Sequence, residues 1–298
     1  GLLPVVAVAG SIAVPALIRL GAPPASQARV HRLTDGLRTA AGAAMLLAGL
    51  SLAAGSGAIL AGLALIAGGG VAGLPALRRL VPAGTLTARQ GLPATIASRG
   101  LLTFTFFGAD AYVTLAVTAV RHRSPVVAGL AVTGATVAWT AGAWVQARLN
   151  DVWEGRRLVR TGLVIILAGI AGMAVVLQPA VPVAVGLAAW TVAGLGMGLA
   201  YAPLSLMMLR NALPGQEGQA SASLNLADVL GTAIGIGVGG AAVAAAAGGD
   251  LRLGIAAAFA VAAAVGLVAL ALAGRLPAST GSAPPVTEQV PARAEPPG

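Results

Sequence analysis

The pattern of apolar and polar positions divides this chain into long hydrophobic runs separated by short clusters of Arg, Pro and Gly. Nine runs are predicted, at 1–20, 38–55, 57–77, 98–119, 125–147, 158–178, 181–205, 220–247 and 252–274. Each approaches the ~20 residues a helix needs to cross a bilayer core. No ten-residue alternation develops, which argues against an outer-membrane barrel and leaves an all-α, polytopic helical membrane protein. The third run holds Gly68-Gly69-Gly70 and Pro75. It has the weakest span pattern and can be irregular where neighbouring helices cover its backbone. From about Pro277 the apolar period ends, and the Pro-, Ser- and Glu-containing tail is predicted to be disordered.

Composition supports the same class. The 298 residues are 57% hydrophobic and only 9% charged, with a mean hydropathy of +0.90, whereas soluble domains carry about 25% charged residues. The net charge of +9 comes from Arg alone, because there is no Lys. If the first run ends in the cytoplasm, fifteen Arg fall on the cytoplasmic side, and only Arg121, Arg123 and Arg252 fall opposite. Such asymmetry is the positive-inside signal, predicting a multi-pass protein of the cell membrane with its N-terminus outside and its C-terminus cytoplasmic. Basicity of this kind reads as topogenic Arg flanks, and nucleic acid is not an expected partner because no aromatic-basic face is present. There is no Cys, hence no disulfide or thiolate metal site. The chain opens at Gly1 inside an apolar run, as expected of one truncated at its N-terminus.

Of nine acidic residues, Asp110 and Asp228 are predicted to lie inside spans. A charged Asp at the centre of a bilayer costs roughly 2.5–3.5 kcal/mol on insertion scales, so each needs a compensating role. Removal from water favours the neutral carboxyl, so either can hold a proton and release it when water or a cation arrives. A protonated Asp bonded to a neighbouring helix as structural glue is the plainer alternative. Thr103, Phe106, Phe107 and Thr114 are predicted to share the face of Asp110. Ser221, Asn225, Asp228 and Thr232 recur at spacings of three and four, on one helical face that should line a cavity or another helix. Gly231, Gly235 and Gly239, like Gly194 and Gly198, repeat every four residues and allow close backbone approach. Between the fifth and sixth runs, Arg148, Asp151, Gly155, Arg156 and Arg157 form an acid–Gly–Arg loop able to act as a charge-assisted latch; a topogenic Arg cluster would look similar.

These features together resemble the major facilitator superfamily. The loop at 148–157 is similar to the degenerate acidic-Gly-Arg loop between the family's eighth and ninth helices. The stretches Gly194-Leu195-Gly196-Met197-Gly198 through Pro203, Pro214-Gly215-Gln216-Glu217-Gly218 onward to Asn225, and Gly231-Thr232-Ala233-Ile234-Gly235 resemble helices ten and eleven of drug:proton antiporters. The runs at 38–55 and 57–77 sit where the fourteen-span branch has two extra helices. The resemblance implies that 1–20 is like helix six, 21–97 a cytoplasmic linker with the two extra spans, 98–275 the C-terminal six-helix bundle, and 276–298 a cytoplasmic tail. Two departures stand out. Three residues rather than two separate Asp151 from Gly155, with Val152 where Arg is usual. The family's first five helices have no counterpart, so the chain by itself is not expected to transport.

The resemblance further implies proton-coupled efflux of small, amphipathic or drug-like molecules by alternating access, powered by the proton gradient without a cofactor or metal. The expected partners are a small-molecule substrate, the lipid bilayer and the missing N-terminal half. Asp110 and Asp228 would be the proton or cation sites. Phe106, Phe107, Tyr112, Thr114, Ser221, Asn225 and Thr232 would line the substrate cavity. An enzyme is disfavoured: His31 and His122 fall on opposite sides, and no Ser-Lys pair exists. The rival reading is a non-transporting membrane remnant or scaffold, which would have no physical need for intramembrane carboxyls.

Overall fold

A computed structural model describes residues 27–55, 58–246 and 249–278. The predicted run at 1–20 and the tail beyond 278 lie outside these residues. Eight α-helices follow one another: α1 (Gln27–Gly55), α2 (Ile59–Leu80), α3 (Leu92–Leu115), α4 (Pro125–Leu149), α5 (Gly155–Val176), α6 (Val183–Asn211), α7 (Glu217–Ala245) and α8 (Leu251–Leu272). A π-helical turn, Ala116–Val120, extends α3, and short 3-10 turns occupy Thr85–Thr87 and Ala273–Arg275. All eight helices are long and apolar enough to cross a membrane. The chain is a polytopic helical membrane protein.

The starts and stops have local causes. Pro93 and Pro125 stand in the first turns of α3 and α4, where a missing N–H costs nothing. Asp250 caps α8 by accepting from the Arg252 amide at 2.9 Å. At the end of α3 the guanidinium of Arg121 donates to the carbonyls of Gln178 at 2.9 Å and Val181 at 2.8 Å, fastening it to the loop before α6.

The layout is set by how much of each helix its neighbours cover. In the most apolar stretches of α3 and α6, 56% of residues are buried, against 17–22% in α1, α2, α4 and α7. Helix α3 lies at the centre, touching α4, α6, α7 and α8, while α6 packs between α4 and α5. Helices α1 and α2 form a hairpin whose α1 leans on α7.

Three expectations change. The run at 57–77 is not irregular: α2 is continuous through Pro75, because its glycines serve contact. A Cβ on Gly42 of α1 would come within 2.6 Å of the Gly73 Cα, so the two backbones meet directly. Helix α1 begins well before residue 38, carrying His31, Arg32 and Asp35 on helical turns rather than in a linker. Asp35 thereby joins Asp110 and Asp228 inside a candidate span, 9% exposed, and it pairs with Arg79 of α2 at 3.4 Å.

Candidate functional site

The two carboxyls singled out by the sequence lie at opposite ends of one continuous line of aromatic rings. Asp110 on α3 accepts a hydrogen bond at Oδ1 from the indole Nε1 of Trp190 on α6, at 2.8 Å. Trp190 stacks on Phe106 with centroids 5.2 Å apart. Phe106 meets Trp139 of α4 edge-on at 5.8 Å, and Trp139 meets Tyr201 of α6 at 5.5 Å. The Tyr201 hydroxyl then donates to Oδ2 of Asp228 on α7 at 2.6 Å. Edge-on and stacked pairs satisfy the ring quadrupoles, and each adds about 0.5–1.5 kcal/mol beyond buried area.

Helical geometry explains the alignment. Asp110 lies eleven residues after Arg99 on α3, and Trp190 lies eleven before Tyr201 on α6. Eleven residues advance a helix by about 16 Å. The two helices run antiparallel, so equal spacing brings Asp110 to Trp190 at one level and Arg99 to Tyr201 at the other.

At that second level Arg99 is 3% exposed. Its guanidinium lies over the Tyr201 ring, 3.4 Å from the centroid. It donates to the Tyr201 carbonyl at 2.8 Å and to the Ser205 hydroxyl at 2.7 Å. Tyr201 is therefore held between a cation on its face and a carboxylate on its hydroxyl. Two buried polar atoms here have no partner, Asp228 Oδ1 and Arg99 Nε. Buried polar atoms are rarely left unpaired, so these two atoms set this end of the ring line apart from the apolar packing around it.

The other predicted residues divide. Thr103 is fully buried and donates to the Asp228 carbonyl at 3.1 Å, so it serves the α7 contact rather than Asp110. Phe106 is 3% exposed and committed to the ring line, whereas Phe107 is partly buried. The Tyr112 hydroxyl donates to the Ile236 carbonyl of α7. Thr114 and Asn225 face away from the rest of the chain, and Ser221 and Thr232 are half covered. The stripe on α7 is thus split: Asp228 turns into the bundle while Asn225 stays open. The glycine repeats do pack closely. A Cβ on Gly235 would fall 2.7 Å from the Phe104 carbonyl oxygen of α3, and Gly194 and Gly198 lie on the α4 backbone.

The loop at 148–157 forms no latch among the described residues. Asp151 has no ion pair there, Arg156 donates to the Leu276 carbonyl, and Arg148 and Arg157 lie over Trp144 and Trp153. Gly155 opens α5, and Arg156 reaches the chain just past α8.

Sequence reasoning placed Arg99 among the topogenic arginines and passed over Trp139, Trp190, Tyr201 and Ser205. One signal was available. The chain has ten aromatic residues, and five of them, Phe106, Phe107, Trp139, Trp190 and Tyr201, form this single group.

Comparison with known proteins gives a limited match. No family model matches the chain. Two curated relatives, both named "probable multidrug-efflux transporter" and from two strains of Mycobacterium tuberculosis, are each 31% identical over 131 residues. The match covers 42% of this chain and only 28% of each relative, so it spans well under half the length of those proteins.

Proposed function

We propose that this chain is one helical half of a proton-coupled exporter of small amphipathic molecules, working by alternating access. The observation that carries the reading is the pair of intramembrane carboxyls joined by the ring line, with Arg99 beside Tyr201 and an unpaired oxygen on Asp228. The similarity to proteins named as efflux transporters favours the same class. Loading a proton on Asp228 changes the charge that Tyr201 and Arg99 face, which alters how tightly α7 is held to α6 and α3. Helices coupled in that way can convert a proton into a change of packing. A proton on Asp110 changes the charge that the Trp190 indole N–H faces, without a cation alongside.

Asn225 and Val229 of α7, together with Ala111 and Thr114 of α3, lie open and carry polar positions among apolar ones. In this reading they form one wall of the substrate path, and the opposite wall belongs to a further set of helices. The Arg-rich ends face the cytoplasm, as the charge asymmetry predicts. The test is export of a lipophilic cationic dye from cells, or its uptake into everted vesicles, carrying the protein from its full reading frame. Export should collapse when a protonophore removes the gradient. Asp228→Asn should abolish gradient-driven export while leaving dye binding within about threefold. Unchanged export and pH dependence in both Asp110→Asn and Asp228→Asn would overturn the proton role.

A further inference from the structure

A second feature lies at the periphery, away from the ring line. Between the start of α5 and the end of α8 opens a cleft of about 660 Å³. Its rim carries Arg156, Arg157 and Arg160, with Glu154 as the one acid, so the formal balance there is two positive charges. Arg160 is exposed and has no partner among the described residues, and Arg157 rests on Trp153 with its guanidinium 4.5 Å from the ring. Below the arginines the wall turns from Thr161 to Val164 and Ile165, faced by Leu270 of α8.

These residues are ordered by polarity along the helix. Positions 157, 160, 161, 164 and 165 follow one face of α5 inward from its first turn. Cationic groups come first, then a hydroxyl, then branched apolar side chains. Helix α5 has 22 residues, about 33 Å at ~1.5 Å each, so its length matches the ~30 Å hydrocarbon layer. Its first turn therefore sits at headgroup depth, and Val164 sits among acyl chains. A soluble anion would be recognised by the arginines but would leave the apolar floor bare. A lipid with an anionic phosphate head and an acyl tail fits both parts, and basic clefts between spans are suited to such heads.

We infer that the α5–α8 cleft is a binding site for an anionic phospholipid, with Arg157 and Arg160 on the phosphate and Val164, Ile165 and Leu270 along an acyl chain. The inference needs only the membrane fold and stands whether or not the protein exports anything.

Native mass spectrometry of the protein purified from its full reading frame tests it, with phosphatidylglycerol and phosphatidylcholine of identical chains as probes. At about fivefold per arginine, the wild type should retain phosphatidylglycerol at least tenfold better than phosphatidylcholine. Arg157→Gln/Arg160→Gln should bring the two within about twofold. Arg78→Gln/Arg210→Gln removes the same charge from two exposed positions outside the cleft and should keep the preference. Should the double variant fold poorly, Arg160→Gln alone is expected to lose about fivefold. The inference is overturned by equal retention of both lipids in wild type, by an equal loss in the Arg78/Arg210 control, or by displacement of the lipid by millimolar inorganic phosphate.

Discussion

Tyr201 is where the chemistry of the interior converges, because its face holds a guanidinium and its hydroxyl holds a carboxylate. Tyr201→Phe keeps the ring and deletes the hydroxyl, leaving Asp228 with two unpaired oxygens. A buried acceptor deprived of its donor costs about 1–3 kcal/mol. Thermal unfolding in detergent should register that loss, and Tyr201→Phe in an Asp228→Asn background should cost distinctly less. Equal costs in the two backgrounds would mean that the hydroxyl and the carboxylate are energetically unrelated. Arg99→Lys is predicted not to preserve function. A single ammonium cannot lie flat on the ring while donating to both the Tyr201 carbonyl and Ser205. Export at the wild-type rate in the Arg99→Lys variant would contradict the proposed role of the guanidinium.

At the scale of the helix, the spacing of small residues decides which elements touch. Gly231, Gly235 and Gly239 keep α7 against α3 at Gly100, Phe104 and Tyr112. Gly231→Val would push side-chain atoms into the α3 backbone, and overpacking of this kind typically costs about 1–3 kcal/mol. Gly70→Ala is the matched control, because an added Cβ there meets nothing within 4 Å. It should be neutral or stabilise by up to about 1 kcal/mol, the helix-propensity difference between the two residues. A melting comparison of the two variants checks both signs at once. The glycine spacing was legible in the sequence as a capacity for close approach. The partner of each repeat was not, since a period of four on one helix carries no information about which other helix has a matching groove.

For the molecule as a whole, the α1–α2 hairpin is attached differently from the rest. Its two helices meet through glycine-to-glycine contacts, while its links to α7 include Ser223 donating to the Leu80 carbonyl at 2.9 Å and Arg32 donating to Gln219 at 3.1 Å. The Arg79–Asp35 pair within the hairpin joins a 65% exposed arginine to a carboxyl that is 12% exposed, so only the arginine end is open. Arg79→Ala should therefore lower the unfolding temperature, since it leaves a largely buried carboxyl without its cation, a loss of about 1–3 kcal/mol. Gly42→Leu should disrupt the hairpin while leaving the emission of Trp139 and Trp190, read in a variant that lacks Trp144 and Trp153, unchanged. A shift in that emission would show that hairpin and ring line are coupled.

The existence of the described helices, the approximate limits of all but α1 and the membrane as their solvent followed from the sequence, because an apolar run of about twenty residues has one low-energy way to satisfy its backbone in lipid. Asp110 and Asp228 were legible for the same reason, a carboxyl in such a run being conspicuous by its cost. What joins them was not. Trp139, Trp190 and Tyr201 are ordinary apolar positions in sequence, and Arg99 looks like any arginine near the end of a span. Only the antiparallel packing of α3 against α6, with α4 and α7 closing on either side, brings equal eleven-residue spacings into register. Local pattern records what each residue costs in its surroundings, and tertiary packing decides which residues offset one another's cost.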